Sequence, residues 1–286
     1  MKIKIIHTFF ALSTLLFMAC GHQVPAKKVD FIATIHPIKF LIEQITGEDF
    51  HVDVLVPSGA SPETFEPTPK QFIALNEAEL VFSTGLIDFE SALTERMHDH
   101  TSLVNLSRNI ELMEGSCSHH HSHGHHHHGI DPHIWTSPRE LKSMARNAYE
   151  AIIAEYPDSV KYTYAYNALI HKLNELDIEC ASLCEASPAK AFVVYHPALT
   201  YFARAYGIEQ IAIENDGKEP SAKHLAEIIE QARQKGATCL LYQVQYPRST
   251  VEIVAKDMGV ECYSFDPLEE NVIKNILSIT HTITNK

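Results

Sequence analysis

Eight of the ten residues from His119 to His128 are histidine: His119, His120, His121, His123, His125, His126, His127 and His128. Asp131-Pro132-His133 follows almost at once. Neutral imidazole is a ligand for borderline transition metals such as zinc, copper and nickel. A packed core has no use for such a tract, because every ring carries a donor and an acceptor that must be satisfied. The tract therefore reads as a water-facing loop that handles metal ions with low affinity. Three more ligand-type residues stand where strands are predicted to end: Glu63 in Ser61-Pro62-Glu63-Thr64, His196 in Tyr195-His196-Pro197, and Asp266 in Phe265-Asp266-Pro267-Leu268. Each of the four turns contains proline, whose fixed φ restrains the direction of its neighbours. Taken singly, a loop glutamate is ordinarily a solvated charge, and a histidine after a strand is ordinarily a hydrogen-bonded structural residue. The four together suggest one metal site, Glu63, His133, His196 and Asp266.

Strands and helices must alternate to bring those turns together. Strands are predicted over 29–35, 51–56, 80–83 and 102–106, with helices near 37–46, 69–77 and 89–98 between them. A helix from Pro138 to about Glu155 follows, and Tyr156-Pro157 interrupts it. Asp158 then reads as the cap of a long helix to about Glu185, with an apolar seam of Leu169, Leu173, Leu176, Cys180 and Leu183. The alternation resumes with strands at 191–195, 210–214, 238–243 and 261–265, helices at 199–206, 221–235 and 249–258, and a last helix from Glu269. Such alternation means parallel sheet with right-handed crossovers. In open parallel sheets, ligands collect at the carboxyl ends of the strands. The expected architecture is α/β: two lobes with parallel sheets flanked by helices, joined by a long rigid helix, with the metal site between the lobes. The expected segments are a signal peptide (1–19), a tether (20–28), an N-terminal lobe (29–137, with the His-rich loop at 116–129), linking helices (138–187) and a C-terminal lobe (188–286).

The first nineteen residues stand apart. Lys2 and Lys4 precede an almost wholly apolar run from Phe9 to Ala19, then Cys20-Gly21. This reads as an export signal, with Cys20 as a lipid-carrying mature N-terminus anchored to a membrane and cleavage without lipid as the alternative. Loss of Lys2 and Lys4 takes the formal charge from −13 to −15. An acidic chain without a basic patch argues against nucleic acid as partner. Cys180, Cys184, Cys239 and Cys262 read as small buried apolar residues, while Cys117 lies beside the tract as an auxiliary metal contact to watch.

The chain resembles the metal-binding lipoproteins of zinc and manganese ABC importers, the cluster A-I solute-binding proteins. The resemblance spans nearly all of the mature chain. It is carried by the turn from Gly59 to Pro69, the histidine loop, Asp131-Pro-His-Ile-Trp135, His196 with Tyr201-Phe-Ala, Gly217-Lys-Glu-Pro-Ser221 and Asp266-Pro-Leu268. It implies a metal held between lobes by His133, His196 and Asp266, with an ABC importer permease as partner outside the cytoplasm, periplasmic and lipid-anchored through Cys20. The first ligand of that family is usually histidine, and Glu63 stands there instead. His36, in Ile35-His36-Pro37, is the accessory candidate, with lining the cleft as its other reading.

A binding protein and a secreted zinc hydrolase are the two classes to weigh. Four protein donors close a zinc shell, whereas a hydrolase keeps a position open for water. No His-Glu-x-x-His stretch occurs. A metallochaperone or an adhesin is a third reading that the same motifs would serve. For the ion, the histidine tract and the Irving–Williams order favour Zn2+, while the oxygen of Glu63 pulls toward Mn2+ or Fe2+ as the alternative.

Overall fold

The computed structural model describes residues 30–97, 102–115, 129–214, 220–246 and 248–285. The leader, Cys20, the tether, Cys117 and the tract from His119 to His128 lie outside the described residues. Two four-stranded, all-parallel sheets organise the rest. The first contains β1 (Phe31–Ala33), β2 (Val52–Val54), β3 (Leu80–Ser83) and β4 (Ser102–Asn105), in the order β2-β1-β3-β4. The second contains β5 (Ala191–Val194), β6 (Glu209–Ala212), β7 (Ala237–Gln243) and β8 (Glu261–Phe265), in the order β6-β5-β7-β8. The two orders are the same. His36-Pro37 after β1 and His196-Pro197 after β5 therefore occupy equivalent places in the two sheets.

The helices follow the predicted alternation. In the first half they are α1 (His36–Thr46), α2 (Pro69–Glu77) and α3 (Asp88–Arg96). A short 3-10 turn (Ile134–Thr136) leads into α4 (Pro138–Glu155) and the long α5 (Val160–Ala186). The second half adds α6 (Thr200–Tyr206), α7 (Ala222–Lys235), α8 (Arg248–Met258) and α9 (Val272–Thr284). The 27 residues of α5 rise about 40 Å at ~1.5 Å per residue, enough to run past both sheets.

Several ends differ from the sequence expectation. Asp158 does not cap α5; Ser159 holds the cap position without a side-chain hydrogen bond. The backbone serves instead, Val160 N–H donating to Asp158 O and Tyr162 N–H to Ser159 O. The last helix starts at Val272 rather than Glu269, because Asn271 accepts from Lys274 N–H and so caps it. Strand β6 ends at Ala212, yet Ile213 N–H still donates to Val194 O and Glu214 N–H to Tyr195 O. That extension of the ladder matters for the site.

Strand alternation divides the second sheet between two cores. Phe192, Val194, Cys239 and Leu241 join the main core, which also holds Phe31, Ile38, Leu169, Leu173, Tyr201 and Leu268. Ala191, Val193, Tyr195, Leu240 and Tyr242 face a smaller core under α7 and α8. The main core thus spans both sheets, and α5 contributes Leu169, Leu173, Leu176 and Cys180 of the predicted seam, with Cys184 rather than Leu183 at its end. Leu173 is fully buried there. Leu173→Ala should cost about 2–5 kcal/mol through lost burial and a residual cavity. Urea unfolding measures it, as a lower midpoint at unchanged slope.

Cys180, Cys184 and Cys239 are buried, Cys262 is half-buried, and all four are free thiols. Burial pushes the Cys184 and Cys239 thiols up to about 12, which keeps them protonated and unreactive. No helix among the described residues is long and apolar enough to cross a membrane.

Candidate metal centre

Four turns converge at the carboxyl ends of the strands. In the loop between β2 and α2, Gly59 takes φ +79°, a conformation that glycine adopts without strain. Glu63 N–H donates to Ser61 Oγ at 3.3 Å, and Phe65 packs edge-on against Phe89 at 5.0 Å between ring centroids. At the other end of the loop, Thr68 and Gln71 form a reciprocal capping box on α2. These contacts hold the Glu63 turn between the first sheet and the site.

His133 is set by its own turn. Asp131 Oδ1 accepts from His133 N–H at 2.8 Å and lies 2.8 Å from His133 Nδ1. Burial would raise the Asp131 carboxyl pKa, but the charge and hydrogen bonds of His133, with a hydrogen bond from Thr200, bring it below the ordinary value. The turn is tied to the second half of the chain at three points. Trp135 Nε1 donates to Pro267 O at 2.8 Å, Thr136 Oγ1 donates to Ala198 O at 3.0 Å, and the Tyr201 hydroxyl donates to Asp131 O at 2.8 Å. The same hydroxyl accepts from Met113 N–H at 3.2 Å. Met113 and Asp131 are themselves paired, and Glu114 bridges Ile130 in antiparallel fashion. Tyr201 therefore clamps both sides of the narrow base from which residues 116–128 depart. A Cβ on Gly115 would meet Asp131 N at 3.0 Å, so the close approach favours glycine.

His196 is set by three strands. Its backbone N–H donates to Gln243 Oε1 at 3.3 Å, and Gln243 Nε2 donates to His196 O at 2.7 Å. Gln243 ends β7 and so holds His196 at the end of β5. The ladder past β6 brings Glu214 alongside, with Oε2 2.8 Å from His196 Nδ1. The Tyr246 hydroxyl donates to the same oxygen at 3.0 Å.

Glu63, His133 and His196 come together: one ligand atom from each lies within 4.8 Å of the others. Among the described residues this is the group of three or more metal-ligand side chains with that property. The His133 and His196 rings meet edge to face, 5.3 Å between centroids. Glu63 Oε1 approaches His196 Nε2 to 2.6 Å. Both histidines are almost fully buried, while the Glu63 side chain is 26% exposed. A cavity of about 310 Å3 opens beside them, lined further by Ser61, Thr64, Gln243 and Tyr246.

The other two sequence candidates are not part of that group. Asp266 is outside the group; its Oδ1 accepts from Leu268 N–H at 2.9 Å, and its neighbour Pro267 lines the cavity. His36 is also outside, with Nε2 3.1 Å from Ser58 Oγ at the start of α1. Sequence reasoning missed Glu214, Gln243 and Tyr246. A carboxylate directly after a predicted strand was the one available signal for Glu214.

Burial would lower the pKa of His196, but hydrogen bonds and charges from Glu214 and Glu63 outweigh it and carry the imidazole to about 9. The centre is thus two imidazoles steered by carboxylates, with a third carboxylate on the cavity side. That donor set suits a divalent cation of borderline softness.

The chain matches the family described as "ZnuA: Zinc-uptake complex component A periplasmic" over residues 32–284. It is 30% identical over 273 residues to the high-affinity zinc uptake system protein ZnuA of Bacillus subtilis, across 89% of this chain and 85% of that one. It is 29% identical to the zinc-binding lipoprotein AdcA of Streptococcus pneumoniae, across 91% of this chain but 54% of AdcA, and so spans about half of that relative. A crystal structure of ZnuA superposes with a TM-score of 0.81 at 30% identity, covering 90% of this chain and 98% of the other. With the match running through both sheets, the chain belongs to the periplasmic zinc-uptake component A family.

Proposed function

We propose that this protein is an extracytoplasmic solute-binding protein that captures Zn2+ between its lobes and delivers it to the permease of an ABC importer. The convergence of Glu63, His133 and His196 carries this reading, because each imidazole is engaged at Nδ1 by a carboxylate and keeps Nε2 for an ion. Asp266 supplies the fourth donor by turning its carboxylate from the Leu268 N–H. A filled shell holds an ion and leaves no place for a reacting water, so the protein binds and releases rather than catalyses. The lobes are taken as residues 29–137 and 188–286, joined by 138–187. Membrane attachment through a lipid on Cys20 keeps the carrier near its permease. The histidine tract serves as a low-affinity collector of the same ion through its eight imidazoles.

Zinc is the ion because two imidazoles favour a borderline metal and the affinity order places zinc above manganese and iron. The Glu63 oxygen is the one feature that favours the harder Mn2+ or Fe2+. A competitive titration with zinc and manganese, on a chain lacking residues 119–128, tests the reading. One tightly bound zinc per chain, retained against excess manganese, is the expected result. Loss of tight binding along with the tract, or manganese held in preference, would overturn it.

A further inference from the structure

The two imidazoles of the centre are steered by different means. His133 is held inside its own turn, where one oxygen of Asp131 takes both its backbone N–H and its Nδ1. His196 is steered from outside its turn. Glu214 Oε2 lies 2.8 Å from His196 Nδ1, and the Tyr246 hydroxyl donates to that same oxygen at 3.0 Å. The three residues follow three different strands, β5, β6 and β7. Glu214 is only 8% exposed, and both Glu214 and Tyr246 line the cavity. The Tyr246 ring also packs on Tyr195, the residue before His196, at 4.3 Å between centroids.

We propose that Glu214, backed by Tyr246, is a positioning residue that fixes His196 with Nε2 toward the ion and thereby sets how fast the ion leaves. The inference rests on the reading of His196 as a zinc ligand. A neutral imidazole has one N–H and one lone pair. With the N–H committed from Nδ1 to Glu214, the lone pair must sit on Nε2. Without that acceptor the ring is free to take the other tautomer, whose Nε2 carries hydrogen and cannot ligate. The clip on His133 is local and survives small movements of the sheets. The clip on His196 depends on the β5–β6 register and on the loop after β7. Shifts in that loop therefore loosen His196 before His133.

Full-length chains carrying E214L, E214Q or Y246F test this, with H196A as control. Zinc release into excess chelator is followed by stopped flow, and the ring nitrogens of His196 are followed by 15N NMR in the zinc-loaded state. E214L should weaken zinc binding about 10–100-fold, chiefly through faster release, with the Nδ1–H signature lost. E214Q keeps an oxygen able to accept both bonds, so it should retain that signature and stay within about tenfold of the native rate. Y246F removes one hydrogen bond to the carboxylate and should speed release about fivefold. Native release and native ring shifts in E214L would overturn the proposal. So would equal impairment of E214L and E214Q, which would make Glu214 merely structural. Should E214L not fold, Y246F decides, and a native release rate there overturns the proposal. H196A binding zinc as tightly as the native chain would instead sink the reading of His196 as a ligand.

Discussion

Replacing either His133 or His196 by alanine should lower zinc affinity about 100–1,000-fold, and replacing both should leave no tight site. The size follows from the number of donors. Apparent binding energies of about 10–16 kcal/mol for zinc held by four ligands put each donor at about 2.5–4 kcal/mol. Both rings are almost fully buried, so a water entering an alanine cavity would supply an oxygen without the steering that Asp131 and Glu214 provide. Glu63→Ala should cost less, because its side chain is 26% exposed and water reaches the vacated position. The measurement is competition against a chromophoric chelator of known affinity, with the tract from 119 to 128 deleted so that weak sites do not mask the tight one. An undiminished affinity in both single histidine variants would disprove the assignment.

The distances also say how far the chain must adjust to admit the ion. Ligand bonds of about 2.0–2.2 Å at a tetrahedral angle set neighbouring donors about 3.3 Å apart. Glu63 Oε1 and His196 Nε2 now stand 2.6 Å apart, so zinc must part them by several tenths of an ångström. A carboxylate on a loop partly open to solvent can give that much. His196, pinned through its backbone by Gln243, cannot.

The architecture was legible because periodicity and punctuation agree along the chain. Short apolar runs such as Ala191–Val194 and Leu80–Ser83 are too brief for helices, and prolines open α2 and α4 at their first turns. Local signals were less reliable where two groups competed for one role. Asp158 looked like a cap, yet its neighbours satisfy the first turn of α5 through the backbone.

The site was legible to the extent that its geometry is local. Asp131-Pro132-His133 carries its own clip, and Tyr195-His196-Pro197 ends its strand visibly. Asp266 sits in a similar turn, but there the Leu268 N–H, two residues on, takes the carboxylate. Spacing alone does not tell which contacts such a carboxylate makes before an ion arrives. Glu214 needed more again, because its place beside His196 follows from the β5–β6 register, which joins residues 18 positions apart. The Tyr201 clamp joins residues 70 positions apart, a contact that no local spacing shows.

Zinc binding should release about one proton from His196 at pH 7–8, and affinity should climb about tenfold per pH unit until it levels near pH 9. Before the ion arrives, burial works against the charged imidazole, but Glu214 and Glu63 on either side outweigh burial and raise its pKa from 6.5 to about 9. Zinc needs the neutral ring, so it must displace that proton, and each unit of pH below the folded pKa costs one factor of ten. The same shift acts on folding in the opposite direction. A group whose pKa is raised on folding stabilises the fold fully below its unfolded value, near 6.5, and loses that contribution as pH rises through about 9. The difference of roughly two to three units corresponds to about 3 kcal/mol for this nearly buried ring. The metal-free protein should therefore lose stability between pH 6.5 and 9, while zinc stabilises it more strongly over that same interval. Calorimetric titration in buffers of different ionisation enthalpy counts the protons, and melting curves with and without zinc follow the crossing trends. Glu63→Gln removes one of the two flanking charges, so that variant should release fewer protons at pH 7.5. Proton release near zero at that pH in the native chain would mean that His196 is already neutral before zinc binds, and the account of the charged sandwich would fall.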